Sequence, residues 1–365
     1  MKAVCFALLP FLAAETDWKT SAIVTLCVGP GRMLYSAHLV SQLRSIKTQA
    51  KVVILTDEKT NNKEAEGLAL LRELGADVEV IPDTFSERIQ TNYEQNSHQK
   101  ERDSVLLKKM YCWEMTKYKR ILLLDSDVVI MDPFDEIFSV LEQNKAHCNE
   151  DTHEIEPDRP KSEKTVLFSS TRKMPEVAGV PMSDVNEKIV FFSPCSSPET
   201  GDIETCFADM QPFVKGPQHV NKTGANLGVF LLRPNRNTLE EMLRVFGQMK
   251  QRTCCPLQEF VYRFFEARGS YLRLPQIYNT RRIEMYPRLD LHAAERNTKI
   301  FHFVESDKLG FLQRNDNVFS RRWNEKTEEL DRLFAKMNPE KHKAAERRMK
   351  DFFVFESEKK RLRLY

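Results

Sequence analysis

Glycine is scarce in this chain, at 12 of 365 residues. No strand-to-helix junction carries the glycine run that a phosphate-cradling loop needs. The nearest approach, Gly29-Pro30-Gly31-Arg32, is too short to carry a nucleotidyltransferase assignment. The eight cysteines contain no CxxC spacing, which argues against a zinc ribbon. Neither sign of charge dominates, with 55 Lys and Arg against 53 Asp and Glu, so nothing global points to nucleic acid. The apolar stretch Ala3 to Ala14 is too short to span a bilayer, and there are no internal repeats.

What is present begins with that stretch. Lys2, the apolar run and Ala13-Ala14 before Glu15 fit a cleaved secretory leader over residues 1–14, and Pro10 argues against a buried strand. The expected location is the secretory lumen, or the cytoplasm if the leader is retained. A sequon, Asn221-Lys222-Thr223, is compatible with the lumen. Cys27 and Cys112 sit among apolar residues and read as core, whereas Cys195, Cys206, Cys254 and Cys255 lie in polar segments and could pair in an oxidising compartment.

Apolar runs alternate with helical periodicity through the first half of the chain. Strands are expected at Ser21–Val28, Lys51–Thr56 and Val78–Ile81, with helices over 32–45 and about 63–74, the latter closed by Gly75. This alternation is that of a Rossmann-like α/β sheet. The polar segment 92–103 reads as a loop before a helix over 105–117. Residues 150–218, acidic and then Ser/Pro-rich, read as an insertion with little regular structure. Ala225–Leu232 and Lys299–Val304 read as strands, and Leu239–Lys250 and Leu257–Ala267 as helices. The charged segment 319–365 reads as a solvated helical tail, broken at Pro339.

The stretch Ile121 to Phe138, ILLLDSDVVIMDPFDEIF, concentrates the chemistry. Its apolar start reads as a buried parallel strand that delivers Asp125-Ser126-Asp127 to its C-terminal end, where open α/β sheets bind ligands. In extended backbone Asp125 and Asp127 point to one side, and paired carboxylates suit Mn²⁺ or Mg²⁺ carrying a diphosphate. The plain alternative is a solvated turn.

Four blocks in order resemble the glycogenin-like branch of glycosyltransferase family 8. They are Lys108–Phe138 with its Cys112-Trp113 pair and DSD triplet, Asn226-Leu227-Gly228-Val229-Phe230, Leu274-Pro-Gln-Ile-Tyr278-Asn279, and His302-Phe303 followed by Lys308. The resemblance implies a single GT-A domain over residues 20–318, carrying the insertion and the tail. It also implies a Mn²⁺-dependent retaining transferase that moves a hexose, from UDP-glucose or UDP-galactose, to a glycan or protein hydroxyl. A homodimer is compatible with it. The implied metal ligands are Asp125, Asp127 and His302, with Lys308 on the departing diphosphate, where an ammonium would meet developing charge. A lone histidine at a strand end is otherwise a core residue, and a lone surface lysine is uninformative. Thr25, Leu26, Cys27 and Tyr35 fall where the family holds the nucleoside, with Lys100 or Arg102 as a further basic contact. Lys109, Ser126, Asn226 and Gly228 fall at donor contacts, and Asn226 and Gln258 would position sugar or acceptor.

The departures are specific. Leu257 stands where the family pairs an aspartate with the glutamine, and Glu305 stands at a usual glycine. They keep open a second reading, a degenerate member that binds a nucleotide sugar or glycan without turnover. Tyr286 falls at the self-glucosylated tyrosine of glycogenin, but Pro287 follows it and the surrounding sequence differs.

Overall fold

The computed structural model describes residues 18–29, 32–89, 97–141, 176–181, 225–249, 255–274, 276–280, 298–303 and 318–337. The leader, the sequon, Tyr286, Glu305 and Lys308 lie outside them, as does all of the 150–218 segment except 176–181.

Ser21–Leu26 (β1) pairs in parallel with Lys51–Asp57 (β2) on one side and Arg120–Leu124 (β4) on the other. Asp77–Ile81 (β3) adds to β2, also in parallel. Ala225–Leu232 (β7) then pairs antiparallel with β4 and with Val177–Pro181 (β6), which pairs in parallel with Tyr271–Arg273 (β8). The sheet order is β3-β2-β1-β4-β7-β6-β8. This mixed seven-stranded sheet with helices is the single α/β domain that the strand-helix alternation implies. Within the segment read as an insertion, Val177–Pro181 is a strand of the sheet, between β7 and β8.

Both faces of the sheet are covered at its centre, which is why β1, β2, β4 and β7 are mostly apolar and buried, while edge strand β3 (Asp77–Ile81) is largely half-exposed. Ile23, Ile54, Leu122 and Leu124 enter one core with Leu39, Leu43 and Leu71. Alternate residues Val24, Val53, Leu55 and Leu123 enter the other with Trp113, Phe230, Phe260 and Phe265. Cys27 and Cys112 are fully buried, and burial pushes their thiols up to about 11 and about 12.

The helices are Arg32–Ser45 (α1), Glu58–Lys63 (α2), Ala65–Glu73 (α3), Asp83–Arg88 (α4), Ser97–Leu107 (α5), Arg236–Phe246 (α6) and Pro256–Ala267 (α7), with Val318–Met337 (α8) from the tail. The helix expected near 63–74 is α3, and a separate short α2, capped by Asp57 through the Thr60 amide, precedes it. Gly75 ends α3 with φ at +91°, a conformation open to glycine at no steric cost. The expected loop over 92–103 is overtaken by α5, which starts at Ser97. The helix expected to follow gives way to a 3-10 turn over Lys108–Trp113.

Beyond the DSD triplet the chain does not continue β4. Val128–Ile130 (β5) leaves the main sheet and pairs antiparallel with Ile300–His302 (β9). The tail helix α8 lies at the surface with one side docked. Phe319, Trp323 and Leu330 are buried along one side, and Phe319 and Trp323 cluster with Tyr35, Val129, Phe301 and Phe303. Its charged residues Arg321, Arg322, Glu325, Glu328 and Glu329 face outward.

His38 on α1 ties this helix to the small sheet. Its ring stacks on Trp323 at 3.7 Å between centroids. The Trp323 carbonyl can only accept, so His38 Nε2–H donates to it at 3.0 Å, and His38 Nδ1 accepts from Gln42 Nε2 at 2.9 Å. Gln42 also donates to the Val128 carbonyl and accepts from the Ile130 amide. Burial is the main cause that lowers His38 to about 4, with Lys326 adding to it and the Trp323 carbonyl and Glu329 opposing. The folded value lies below the ordinary 6.5, so between pH 6.5 and 4 the unfolded chain binds a proton that the folded chain refuses. Stability is therefore full above pH 6.5 and falls as the pH drops towards 4, by about 3 kcal/mol at most. Melting temperatures from pH 7.5 to 4.5 should fall less steeply in His38→Gln than in the wild type. Equal slopes would remove His38 from the acid response.

Candidate metal and nucleotide-sugar site

The site forms where β4 ends. The β4–β7 pairing sets Leu124 opposite Val229, and the next amide, Asp125 N–H, donates to the Gly228 carbonyl at 2.8 Å. Two residues on, the Asp127 carbonyl accepts from the Phe303 amide at 2.9 Å, which holds β9 beside the triplet. Side chains alternate along β9, so Phe301 and Phe303 enter the aromatic cluster under α8 while His302 faces the aspartates. His302 Nε2 lies 3.2 Å from Asp127 Oδ1 and 3.7 Å from Asp125 Oδ2. One ligand atom from each of the three residues lies within 4.8 Å of the others. Asp127 and His302 are buried, at 6% and 3% exposure, while Asp125 is partly open.

These residues fit a divalent cation. Two carboxylates and an imidazole form a compact donor set that suits Mn²⁺, with Mg²⁺ as the harder alternative. The backbone is shaped around the ring, because a Cβ on Gly228 would lie 2.1 Å from His302 Cε1 and 2.4 Å from Nδ1. Only the missing side chain at this position admits the imidazole. Lys109 Nζ donates to Asp125 Oδ1 at 2.6 Å, placing one positive charge beside the pair. Its neighbour Lys108 reaches the other way to Asp57 at the end of β2, at 2.5 Å. Burial works against the Asp57 charge, but Lys108 and Thr60 outweigh it and hold the carboxyl below its ordinary value. The two adjacent lysines thus bridge the strands on either side of β1.

Asn279, which the motifs include but the expected site set omits, completes the arrangement. It is fully buried, and its Oδ1 lies 3.1 Å from His302 Nδ1. Its Nδ2 donates at 2.9 Å to Asn226 Oδ1, which also accepts the Gly228 amide at 2.9 Å. Sequence alone offers no signal for this contact beyond the presence of Asn279 in a motif, since it joins residues from three separate segments.

The structure therefore brings together Lys109, Asp125, Asp127, Asn226, Gly228 and His302, with Ser126 buried between the aspartates. Thr25, Leu26 and Cys27 lie at the C-terminal end of β1, the strand beside β4. The Thr25 hydroxyl is buried there and has no hydrogen-bond partner among the described residues. Tyr35 is 5% exposed, and its ring packs on Trp323 at 5.7 Å between centroids, so helix packing accounts for its position. Lys100 and Arg102 both lie on α5. Leu257 is buried in the core between the sheet and α7, and it occupies the aspartate position as a packing residue. A carboxylate introduced there would be forced into an apolar core. Gln258, on the same helix, is half-buried, and its enclosed Oε1 has no partner among the described residues. Among those residues no helix is long and apolar enough to cross a membrane.

The sequence profile described as Glycosyl transferase family 8 matches residues 23–309. No curated protein matches the chain. Among solved structures, the apo form of mouse xyloside xylosyltransferase 1 is similar over 77% of this chain and 97% of its own, at 13% identity and a TM-score of 0.43. The glycosyltransferase GlyE of Streptococcus pneumoniae TIGR4 is similar over 87% of this chain and 63% of its own, at 13% identity and a TM-score of 0.47. The apo structure of the bifunctional glycosyltransferase WbbM gives 87% and 50%, at 13% identity and a TM-score of 0.48.

Proposed function

The chain belongs to glycosyl transferase family 8, and from that premise we propose that it transfers a hexose, with retention, from a UDP-sugar to a hydroxyl on a glycan or protein, using Mn²⁺. The observation that supports this reading is the cluster of Asp125, Asp127 and His302 at the C-terminal edge of β4. A cation held there supplies Lewis-acid stabilisation to the diphosphate leaving group.

The chain's own residues do the rest. Asp125 and Asp127 provide the negative charge that retains the cation, and His302 provides the third donor. Lys109 partly neutralises Asp125, and the donor-sugar contact is assigned to it. The unpartnered Thr25 hydroxyl at the end of β1 offers a hydrogen bond to the nucleoside. Lys308, outside the described residues, is assigned to the departing diphosphate, and Asn226 and Gln258 to sugar or acceptor. No carboxylate stands at position 257 to act as a nucleophile, because that side chain is leucine and packs into the core. The acceptor hydroxyl therefore attacks the anomeric carbon on the face that the nucleotide leaves. The C–O bond to the acceptor forms as the bond to the diphosphate breaks, and a diphosphate oxygen takes the acceptor proton.

The test is turnover of a UDP-sugar panel by the full chain with Mn²⁺, read as donor hydrolysis and transfer. Activity with one donor, abolished by excess EDTA, is the expected result. Full activity in EDTA would defeat the cation mechanism. Mn²⁺-dependent UDP binding without turnover of any donor would favour a binding protein instead.

A further inference from the structure

The polarity of the buried amides around His302 is fixed from the backbone outward. The Gly228 peptide N–H can only donate, so the Asn226 atom 2.9 Å from it is the carbonyl oxygen. The Asn279 atom 2.9 Å from that oxygen must then be the amide nitrogen, which leaves the Asn279 oxygen facing His302 Nδ1 at 3.1 Å. Reversing either amide would set oxygen against oxygen or N–H against N–H in a buried place. It follows that His302 Nδ1 carries the proton. In the neutral ring that ligates a cation, the other nitrogen, Nε2, then presents its lone pair to the space shared with Asp125 and Asp127.

The backbone holds Asn279 to this task. Thr280 N–H donates to the Ile300 carbonyl at 3.0 Å, and His302 N–H donates back to the Thr280 carbonyl at 2.8 Å. The Lys299 amide donates to the Ile277 carbonyl at 2.9 Å. The segment bearing Asn279 is thereby laced to the strand bearing His302, and their side chains keep a fixed separation.

We propose that Asn279 is the positioning residue of the cation site, holding His302 in the Nδ1–H tautomer through a hydrogen-bond polarity set by the Gly228 amide. Partners of this kind orient a ligating imidazole and raise its basicity. A neutral amide does so without adding a third negative charge beside two carboxylates, and Asn226, whose Oδ1 accepts from Asn279 Nδ2, acts by holding Asn279. The proposal rests on the reading of Asp125, Asp127 and His302 as a divalent-cation site.

The experiment is a Mn²⁺ titration of the full chain, read from the electron paramagnetic resonance of free Mn²⁺, for wild type, Asn279→Leu and Asn279→Asp. Asn279→Leu, which cannot accept from Nδ1–H, should bind about 10–100-fold more weakly. Asn279→Asp still accepts from Nδ1–H and should bind more tightly than the leucine variant, although its second oxygen faces Asn226 Oδ1 and should lower its melting temperature. A merely structural role would lower the melting temperature of both and leave Mn²⁺ affinity alike in the folded fraction. A folded Asn279→Leu with wild-type affinity overturns the proposal while leaving the cation site intact. A wild type that binds no Mn²⁺ overturns the cation reading, and the proposal with it. If Asn279→Leu does not fold, ¹⁵N-histidine spectra of the Mg²⁺-loaded wild type decide, with the His302 signal identified by its loss in His302→Gln. A proton on Nδ1 is the expected result, and a proton on Nε2 with a bare Nδ1 overturns it.

Discussion

Asp127→Asn should abolish transfer and weaken Mn²⁺ binding by on the order of 10²–10³-fold, within the range over which ligand charge tunes hard-cation sites. The substitution keeps the shape of the side chain and removes one of two negative charges from a donor set of three. An amide oxygen can still reach a cation but does not balance its charge. The fold should tolerate the change. Asp127 is buried beside another carboxylate, and its tie to β9 runs through its backbone carbonyl, which asparagine retains. A melting temperature within a few degrees of wild type, with Mn²⁺ binding lost by titration, is the expected pair of results. Wild-type transfer by Asp127→Asn would end the metal mechanism. Loss of transfer with metal affinity unchanged would move the role of Asp127 from the cation to the substrate.

The parts of this protein legible in its sequence are those that local pattern determines. An apolar run ending in two carboxylates marks β4 and its site, because burial on both faces leaves few other readings for Ile121 to Leu124. The strand Ala225–Leu232 and the helix over residues 32–45 appear with the expected bounds for the same reason. What sequence hid depends on distant partners. Tyr35 falls by motif where the family holds the nucleoside, but what its ring packs on is Trp323, near the other end of the chain. The charges of α8 outnumber its apolar residues, so the tail reads as solvated, although Phe319, Trp323 and Leu330 suffice to dock one side. The strand Val177–Pro181 is a short apolar island in a polar segment, too brief to show a period. Leu257 is conspicuous as a missing carboxylate, and only its burial shows what leucine does there instead. Asn279 stands in a legible motif, but its partner atoms come from β7 and β9.

Gly228→Ala should disable the site more completely than its single added carbon suggests. The Cβ would lie 2.1 Å from His302 Cε1 and 2.7 Å from Asn226 Oδ1, distances that no relaxed structure sustains. Neither neighbour yields easily. The imidazole is buried and bonded to Asn279, and the asparagine oxygen accepts two hydrogen bonds. The ring would have to turn away from Asp125 and Asp127, or β7 would have to shift against β4, and either change separates the three ligands. Overpacking of this kind costs about 1–3 kcal/mol of stability. The loss of Mn²⁺ affinity should be far larger than a general loosening explains. Gly179→Ala is the control, since its Cβ would strike the Phe230 ring at 2.7 Å, in the core rather than in the site. Both variants should melt below wild type. Gly179→Ala should bind Mn²⁺ normally in its folded fraction, and Gly228→Ala should not. Normal Mn²⁺ affinity in folded Gly228→Ala would mean that His302 finds the cation from another rotamer, and the bare backbone at Gly228 would then have no part in forming the site.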